Sequence, residues 1–243
     1  MRVAGWASQD QYDVRFDWGP LAASAVTTGV CVVVDVLRFT TAVEAAVGRG
    51  VIVYPYRWRD ATAGAFAASV DARLADAPDS TGPSLSPVSL RQLEAGSALV
   101  LPSPNGSTCA RLAADAGATV VAGCLRNAAA VGAWAARVDG PVTVIACGEK
   151  WPDGSLRPSL EDLLGAGAVL AAISGVASPE ARAATAVFHD AAGRLPQALS
   201  DCASGRELDS KGWRVDVEYA AQLNVSSTVP VLRRGAFSDD ARS

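Results

Sequence analysis

Three groups of polar residues in this chain stand where an apolar, β-branched run gives way to a turn or helix. Asp35, Arg38, Thr40 and Thr41 follow the run 30–34. Ser103, Asn105, Gly106, Ser107 and Thr108 follow SALVLP. Gly148, Glu149 and Lys150 follow VTVIAC, with Asp153, Glu161 and Asp162 within the next turn and helix. In open α/β sheets, ligands bind outside the carboxyl ends of the strands, which is where all three groups fall. Arg38 offers a fork of donors for a phosphate or sulfonate. Hydroxyls and amides at two helix starts, Thr40–Thr41 and Ser107–Thr108, favour an anion by geometry and dipole. Asn105-Gly106 permits a tight turn whose amides face a ligand. The carboxylates of Asp35, Glu161 and Asp162 suit a hard cation such as Mg²⁺. Anion donors beside a carboxylate-held cation are the parts of phosphoryl chemistry.

Each part also has a plainer reading. Asp35 also fits a plain cap or turn residue, though its place at the end of a parallel strand favours function, and Arg38 also fits a surface charge on a first helical turn. A cation at a helix N-terminus is unfavourable unless an anion joins it, which favours the binding role. SPNGST alone is a strand-to-helix turn. Glu161 and Asp162 stabilise a first helical turn without any metal. No phosphate loop of the GxxxxGK[ST] kind, no GxGxxG and no GxSxG elbow occurs. The one histidine, His189, lies in the helical AVFHDAAG, so a serine–histidine or histidine–metal mechanism would rest on it alone.

The elements that must position these residues alternate. VTTGVCVVVDVL reads as a strand buried on both faces, TTAVEAAVGRG as a helix, and VIVYPY as a strand. DATAGAFAASVDARLA is helix-compatible, and 76–89 reads as an irregular Pro/Ser loop. Strand SALVLPS, turn PNGST, helix CARLAADAG, strand TVVAGCL, helix NAAAVGAWAARV and strand PVTVIACG follow. After a Trp-Pro-Asp-Gly turn, SLEDLLGAGAVLAAI is a helix with Ser159 as its expected cap and Asp162 three residues on. Further helical stretches lead to RVDVEYAAQLN and VPVLRRGAF. Such alternation predicts a three-layer α/β/α fold with a mostly parallel or mixed sheet, read as one domain over residues 1–243.

With 243 residues, half of them hydrophobic, the chain can bury a large core. A net charge of −4 and the lack of a Lys/Arg run argue against nucleic acid and anionic membrane surfaces as partners. No stretch approaches the ~18 apolar residues of a membrane span. The N-terminal stretch shows no apolar leader, so a cytoplasmic location is expected. The five cysteines, an odd count without CxxC spacing, are expected to be free.

These residues resemble the 2-phosphosulfolactate phosphatase family. CVVVDVLRFTTAVEAAVGRG is similar to its leading strand ending in DVLRATT, and FDWG to its N-terminal aromatic-Trp-Gly segment. LPSPNGSTCARLA is similar to its TTNGT turn, and VTVIACGEKWPDGSLRPSLEDLLGAGAVL to its CAG…EDLLAAG segment. SGRELDSKGWRVDVEYAAQLNVSSTVPVL resembles its tail. The resemblance spans about residues 11–237 in one order. It implies an α/β/α fold, Mg²⁺ dependence, and hydrolysis of a phosphate ester on a small sulfonated acid, a step of coenzyme M biosynthesis. It also implies a possible homodimer. By motif position Asp35, Glu161 and Asp162 are metal candidates, with Asp35 alternatively a nucleophile. Arg38, Thr40, Thr41, Asn105, Gly106, Ser107 and Thr108 are the anion candidates. Cys147 falls on the motif cysteine, as a nucleophile or a small core residue. The chain departs from the family near the pocket: Phe39 replaces a small residue, Ser103-Pro104 replaces Thr-Thr, and of the family's GNSP only Ser86-Pro87 is kept. The departures leave two alternatives: a non-catalytic anion-binding member, and a phosphatase of a different small phospho acid.

Overall fold

The computed structural model describes residues 8–77 and 82–240. Residues 1–7, the first part of the stretch read above as leaderless, and 78–81, inside the expected 76–89 loop, lie outside them. The chain opens with β1 (Val14–Trp18), α1 (Gly19–Ala23), β2 (Val30–Val34) and α2 (Phe39–Val47). It continues through β3 (Ile52–Tyr56), α3 (Ala61–Ser69), β4 (Arg73–Leu74), β5 (Ala98–Pro102) and α4 (Gly106–Ala116). Next come β6 (Thr119–Gly123), α5 (Ala128–Ala135), β7 (Val142–Ala146) and a small hairpin, β8 (Glu149–Lys150) with β9 (Leu156–Arg157). Helices α6 (Leu160–Leu170), α7 (Pro179–Ala191), α8 (Leu195–Asp201), α9 (Ala203–Ser210) and α10 (Arg214–Ala220) precede a closing hairpin, β10 (Pro230–Arg233) and β11 (Ala236–Asp239).

Among the described residues, nine strands form one mixed sheet in the order β1-β7-β2-β6-β10-β11-β3-β5-β4. β1, β7, β2 and β6 pair in parallel, as do β3, β5 and β4. The closing hairpin joins the two parallel blocks through antiparallel pairings on both its flanks.

The continuous apolar run of β2 is explained by two cores. Val30, Val32 and Val34 pack with Leu164 and Val169 of α6 and Phe188 of α7. Cys31 and Val33 point the other way, into a core with Phe39 and Val43 of α2 and Cys109 and Ala113 of α4. A strand covered on both faces has no polar side to show, so period-two alternation disappears from its sequence. Burying each such valine contributes about 1.5–3 kcal/mol. The three layers follow directly.

Helix α6 lies close against the end of β2 because Gly165 has no side chain. A Cβ there would stand 2.5 Å from Val36 Cγ2. This approach brings the first turn of α6, with Glu161 and Asp162, to the end of β2. No helix among the described residues is long and apolar enough to cross a membrane.

Candidate active site

The site is organised by the Asp35 carboxylate. Its Oδ1 accepts the Phe39 N–H at 3.1 Å, and its Oδ2 accepts the Gly106 N–H at 2.9 Å. One side chain therefore joins the starts of α2 and α4, satisfying a free amide of each helix and placing an anion at two positive helix ends. The join requires a bare α-carbon at position 106. A Cβ there would lie 2.2 Å from a Phe39 ring carbon and 2.7 Å from Asp35 Oδ2.

Asp162 does the same on the other side. Its Oδ1 accepts the Val36 N–H and its Oδ2 the Gly148 N–H, both at 2.8 Å. It thus ties α6 to the ends of β2 and β7. Asp162 does not reach back to its own helix start, and Ser159 at the N-cap makes no side-chain cap bond. The expected cap gives way because the carboxylate gains two charge-assisted bonds to strand-end amides. The buried Ser159 hydroxyl is left without a partner.

Glu161 is buried with the Cys202 thiol against it. Glu149, half-buried on β8, accepts the Asn105 Nδ2–H at 2.9 Å. Asp35, Glu149, Glu161 and Asp162 thus crowd one region, and their charges act on one another. Burial, then the neighbouring Glu161 charge against the two amide bonds, pushes Asp35 up to about 6. Burial, then the Asp35 charge, pushes Glu149 up to about 7. Burial, then Asp35 and Glu161, hold Asp162 well above the usual carboxylate range.

Arg38 is buried at the N-terminus of α2. Its Nη1 donates to Asp216 Oδ2 at 2.6 Å, and its guanidinium lies 4.4 Å from the centre of the Trp213 ring.

The other expected residues divide by what their polar atoms do. Thr40 Oγ1 donates to the Asp35 carbonyl and accepts the Asp35 N–H, while Thr41 Oγ1 donates to the Val36 carbonyl. Ser107 Oγ donates to the Leu101 carbonyl. All three hydroxyls close backbone near the site and are not turned to a ligand. Thr108 differs: its buried hydroxyl has no partner. Cys147 is sealed, its thiol raised well above the ordinary range by burial and by adjacent Cys109. A nucleophilic cysteine needs the opposite, an accessible thiolate. All five cysteines are free and buried.

Among the described residues, no three His, Cys, Asp or Glu side chains form a ready metal cage. The donor chemistry nevertheless fits Mg²⁺ held in the open manner usual for that ion, by one or two carboxylates with the substrate and water completing its shell. Four mutually repelling acids supply hard oxygen atoms, and the buried Ser159 and Thr108 hydroxyls, at the starts of α6 and α4, are without a partner. Asp35 and Asp162 have each oxygen on a backbone amide, so Glu161 and Glu149 have the most oxygen to offer. Sequence reading passed over Asp216, Trp213 and Ser86 as site residues; only their place in the family's tail and GNSP segment hinted at them.

The family described as 2-phosphosulpholactate phosphatase matches residues 20–235 of this chain. The 2-phosphosulfolactate phosphatase of Methanothermobacter thermautotrophicus is 28% identical over 211 residues, covering 86% of this chain and 88% of that protein.

Proposed function

The chain belongs to the 2-phosphosulpholactate phosphatase family and is a phosphoric monoester hydrolase by that membership; we propose that its substrate is the phosphate ester of a small sulfonated 2-hydroxy acid, 2-phosphosulfolactate foremost, and that it works with Mg²⁺ in the cytoplasm. The observation that carries this reading is the buried meeting of Asp35, Glu149, Glu161 and Asp162 at the ends of β2 and β7, with Arg38 and the α4 N-terminus beside them. Acids so crowded need a cation, and Arg38, held by Asp216 through Nη1 alone, has further N–H groups that need an acceptor. A phosphate ester with Mg²⁺ answers both needs at once.

In this reading Glu161 would hold Mg²⁺, with substrate and water completing its shell, and the ion would supply charge neutralisation at the phosphoryl oxygens. Arg38, the first-turn amides of Ser107 and Thr108 and the Thr108 hydroxyl bind and orient the phosphate. Asp35 and Asp162 hold the starts of α2, α4 and α6 in place. The attacking group is water. Glu149, poised near neutral pH by burial and steadied by Asn105, moves the proton between water, leaving oxygen and solvent.

The test is phosphate release from a panel of small 2-phospho acids, with and without a sulfonate, in Mg²⁺ and in EDTA. Mg²⁺-dependent release that favours the sulfonated ester is expected. Release unaffected by EDTA would remove the metal from the account, and a preference for the unsulfonated esters would remove the sulfonate.

A further inference from the structure

Arg38 is gripped by segments remote from it in sequence. Asp216, in the first turn of α10, takes Nη1 through its Oδ2 at 2.6 Å. The other oxygen of Asp216, Oδ1, accepts the Ser86 hydroxyl at 2.6 Å. The Trp213 ring lies against the guanidinium in a cation–π contact at 4.4 Å. Three pieces of chain therefore fix one side chain: the end of β2, the segment after residue 82, and α10.

Stability alone is a poor reason for such a network. A buried ion pair often contributes no more than apolar packing of the same volume, because both charges must be desolvated. Position is a better reason. Asp216 occupies Nη1 only. Nε and Nη2 have no acceptor among the described residues, and neither is sealed from solvent. Those two groups form the edge of the guanidinium that carries parallel N–H bonds, the edge that grips two oxygens of one anion.

We propose that Asp216, seconded by Ser86 and Trp213, is a positioning residue that locks Arg38 with its Nε/Nη2 edge free to take two oxygens of the substrate's phosphate. This role rests on the phosphatase reading above and adds to it the device that aims the arginine. It also accounts for Ser86, whose hydroxyl donates to Asp216 and holds it in the rotamer that holds Arg38.

Charge and position predict opposite signs, which makes the two roles separable. If Asp216 only neutralised Arg38, removing its charge would tighten anion binding. If it positions Arg38, removing it loosens binding. The experiment is equilibrium titration of inorganic phosphate into the full-length wild type and Asp216→Asn, Ser86→Ala, Arg38→Ala and Arg38→Ala/Asp216→Asn, each checked for folding by circular dichroism. Loss of a partner that orients a binding group costs about 10–100-fold, so Asp216→Asn is expected to bind phosphate that much more weakly. Ser86→Ala, which keeps the carboxylate, is expected to lose about 2–10-fold and carries the test should Asp216→Asn not fold. The double variant is expected to bind no worse than Arg38→Ala, because the two residues act as one. Phosphate binding by Asp216→Asn or Ser86→Ala as tight as wild type, or tighter, overturns the proposal, as does a double variant whose losses multiply. Turnover is read separately. A wild type that binds phosphate but hydrolyses no ester overturns the phosphatase reading and leaves the positioning result to be judged on binding alone.

Discussion

Replacing Asp35 with asparagine changes how stability depends on pH, and the structure gives both sign and size. Burial raises Asp35 from an ordinary 3.8 to about 6. The folded protein therefore keeps a proton that the unfolded chain has lost over the window between those values. Stability is complete below about pH 4 and drains as pH rises through about 6. At about 1.4 kcal/mol per tenfold change, the drain from this one group is at most about 3 kcal/mol. For a chain of this size 1 kcal/mol moves Tm by about 2–4 °C, so Asp35 alone lowers Tm by up to roughly 6–12 °C. Glu149 adds to the fall, since it is raised from 4.5 to about 7, and part of its rise comes from the Asp35 charge. Asp35→Asn removes the drain but carries a fixed cost. An amide has one acceptor oxygen for the two N–H groups of Phe39 and Gly106, and an unsatisfied buried donor costs about 1–3 kcal/mol. The variant is expected to melt below wild type at pH 5 and to close or reverse the gap by pH 8. Thermal unfolding of both proteins in EDTA at pH 5, 6, 7 and 8 measures this. A gap that stays constant across that range would refute the reasoning, because it would mean that Asp35 is already ionised at pH 5 and that burial has not raised it.

Three other outcomes follow from the same geometry. Glu149→Gln is expected to lower kcat by about 10²–10⁴ and to abolish the limb of the pH–rate profile near 7; an unchanged profile would assign that limb elsewhere. Cys147→Ala is expected to keep turnover within about twofold and to lose about 1 kcal/mol of stability, with thiol alkylators leaving the native wild type active; an inactive but folded variant would restore the thiol to the chemistry. Gly106→Ala forces a methyl group onto Phe39 and Asp35, so it is expected to destabilise by about 1–3 kcal/mol and to depress phosphate affinity, measured by unfolding and titration on the same sample.

Much of the site was legible because its information is local. An acid directly after a doubly buried strand, an arginine three residues on, and two acids in the first turn of α6 are visible in VVVDVLR and SLEDLL. The layers were legible for the same reason, since β2 reads as covered on both faces. What sequence could not show was partner choice. Thr40, Thr41 and Ser107 have the right chemistry for an anion, yet their hydroxyls are taken by carbonyls of their own neighbourhood. A hydroxyl at a helix start has both options, and only packing decides. The bonds from Asp216 to Arg38 and Ser86 span 178 and 130 residues, beyond any periodicity. The insertion of the closing hairpin between β6 and β3 is likewise a pairing decision that VPVLRRGAF does not encode by itself. Ser159 stands in a cap position by sequence and by backbone, but Asp162 is drawn off to the strand ends, so the capping signal overstated the local bond.

The central claim, that this constellation hydrolyses a phosphate ester with a dication's help, is tested most directly by measuring kcat/KM for 2-phosphosulfolactate in Mg²⁺ and in EDTA on wild type, Arg38→Ala and Glu161→Gln, all verified as folded. The account predicts hydrolysis by wild type in Mg²⁺ only, with each variant reduced by about 10²–10³ and Glu161→Gln needing more Mg²⁺ to reach half its rate. Wild-type rates in both folded variants would contradict it, by placing the chemistry somewhere other than the meeting of β2, β7, α4 and α6.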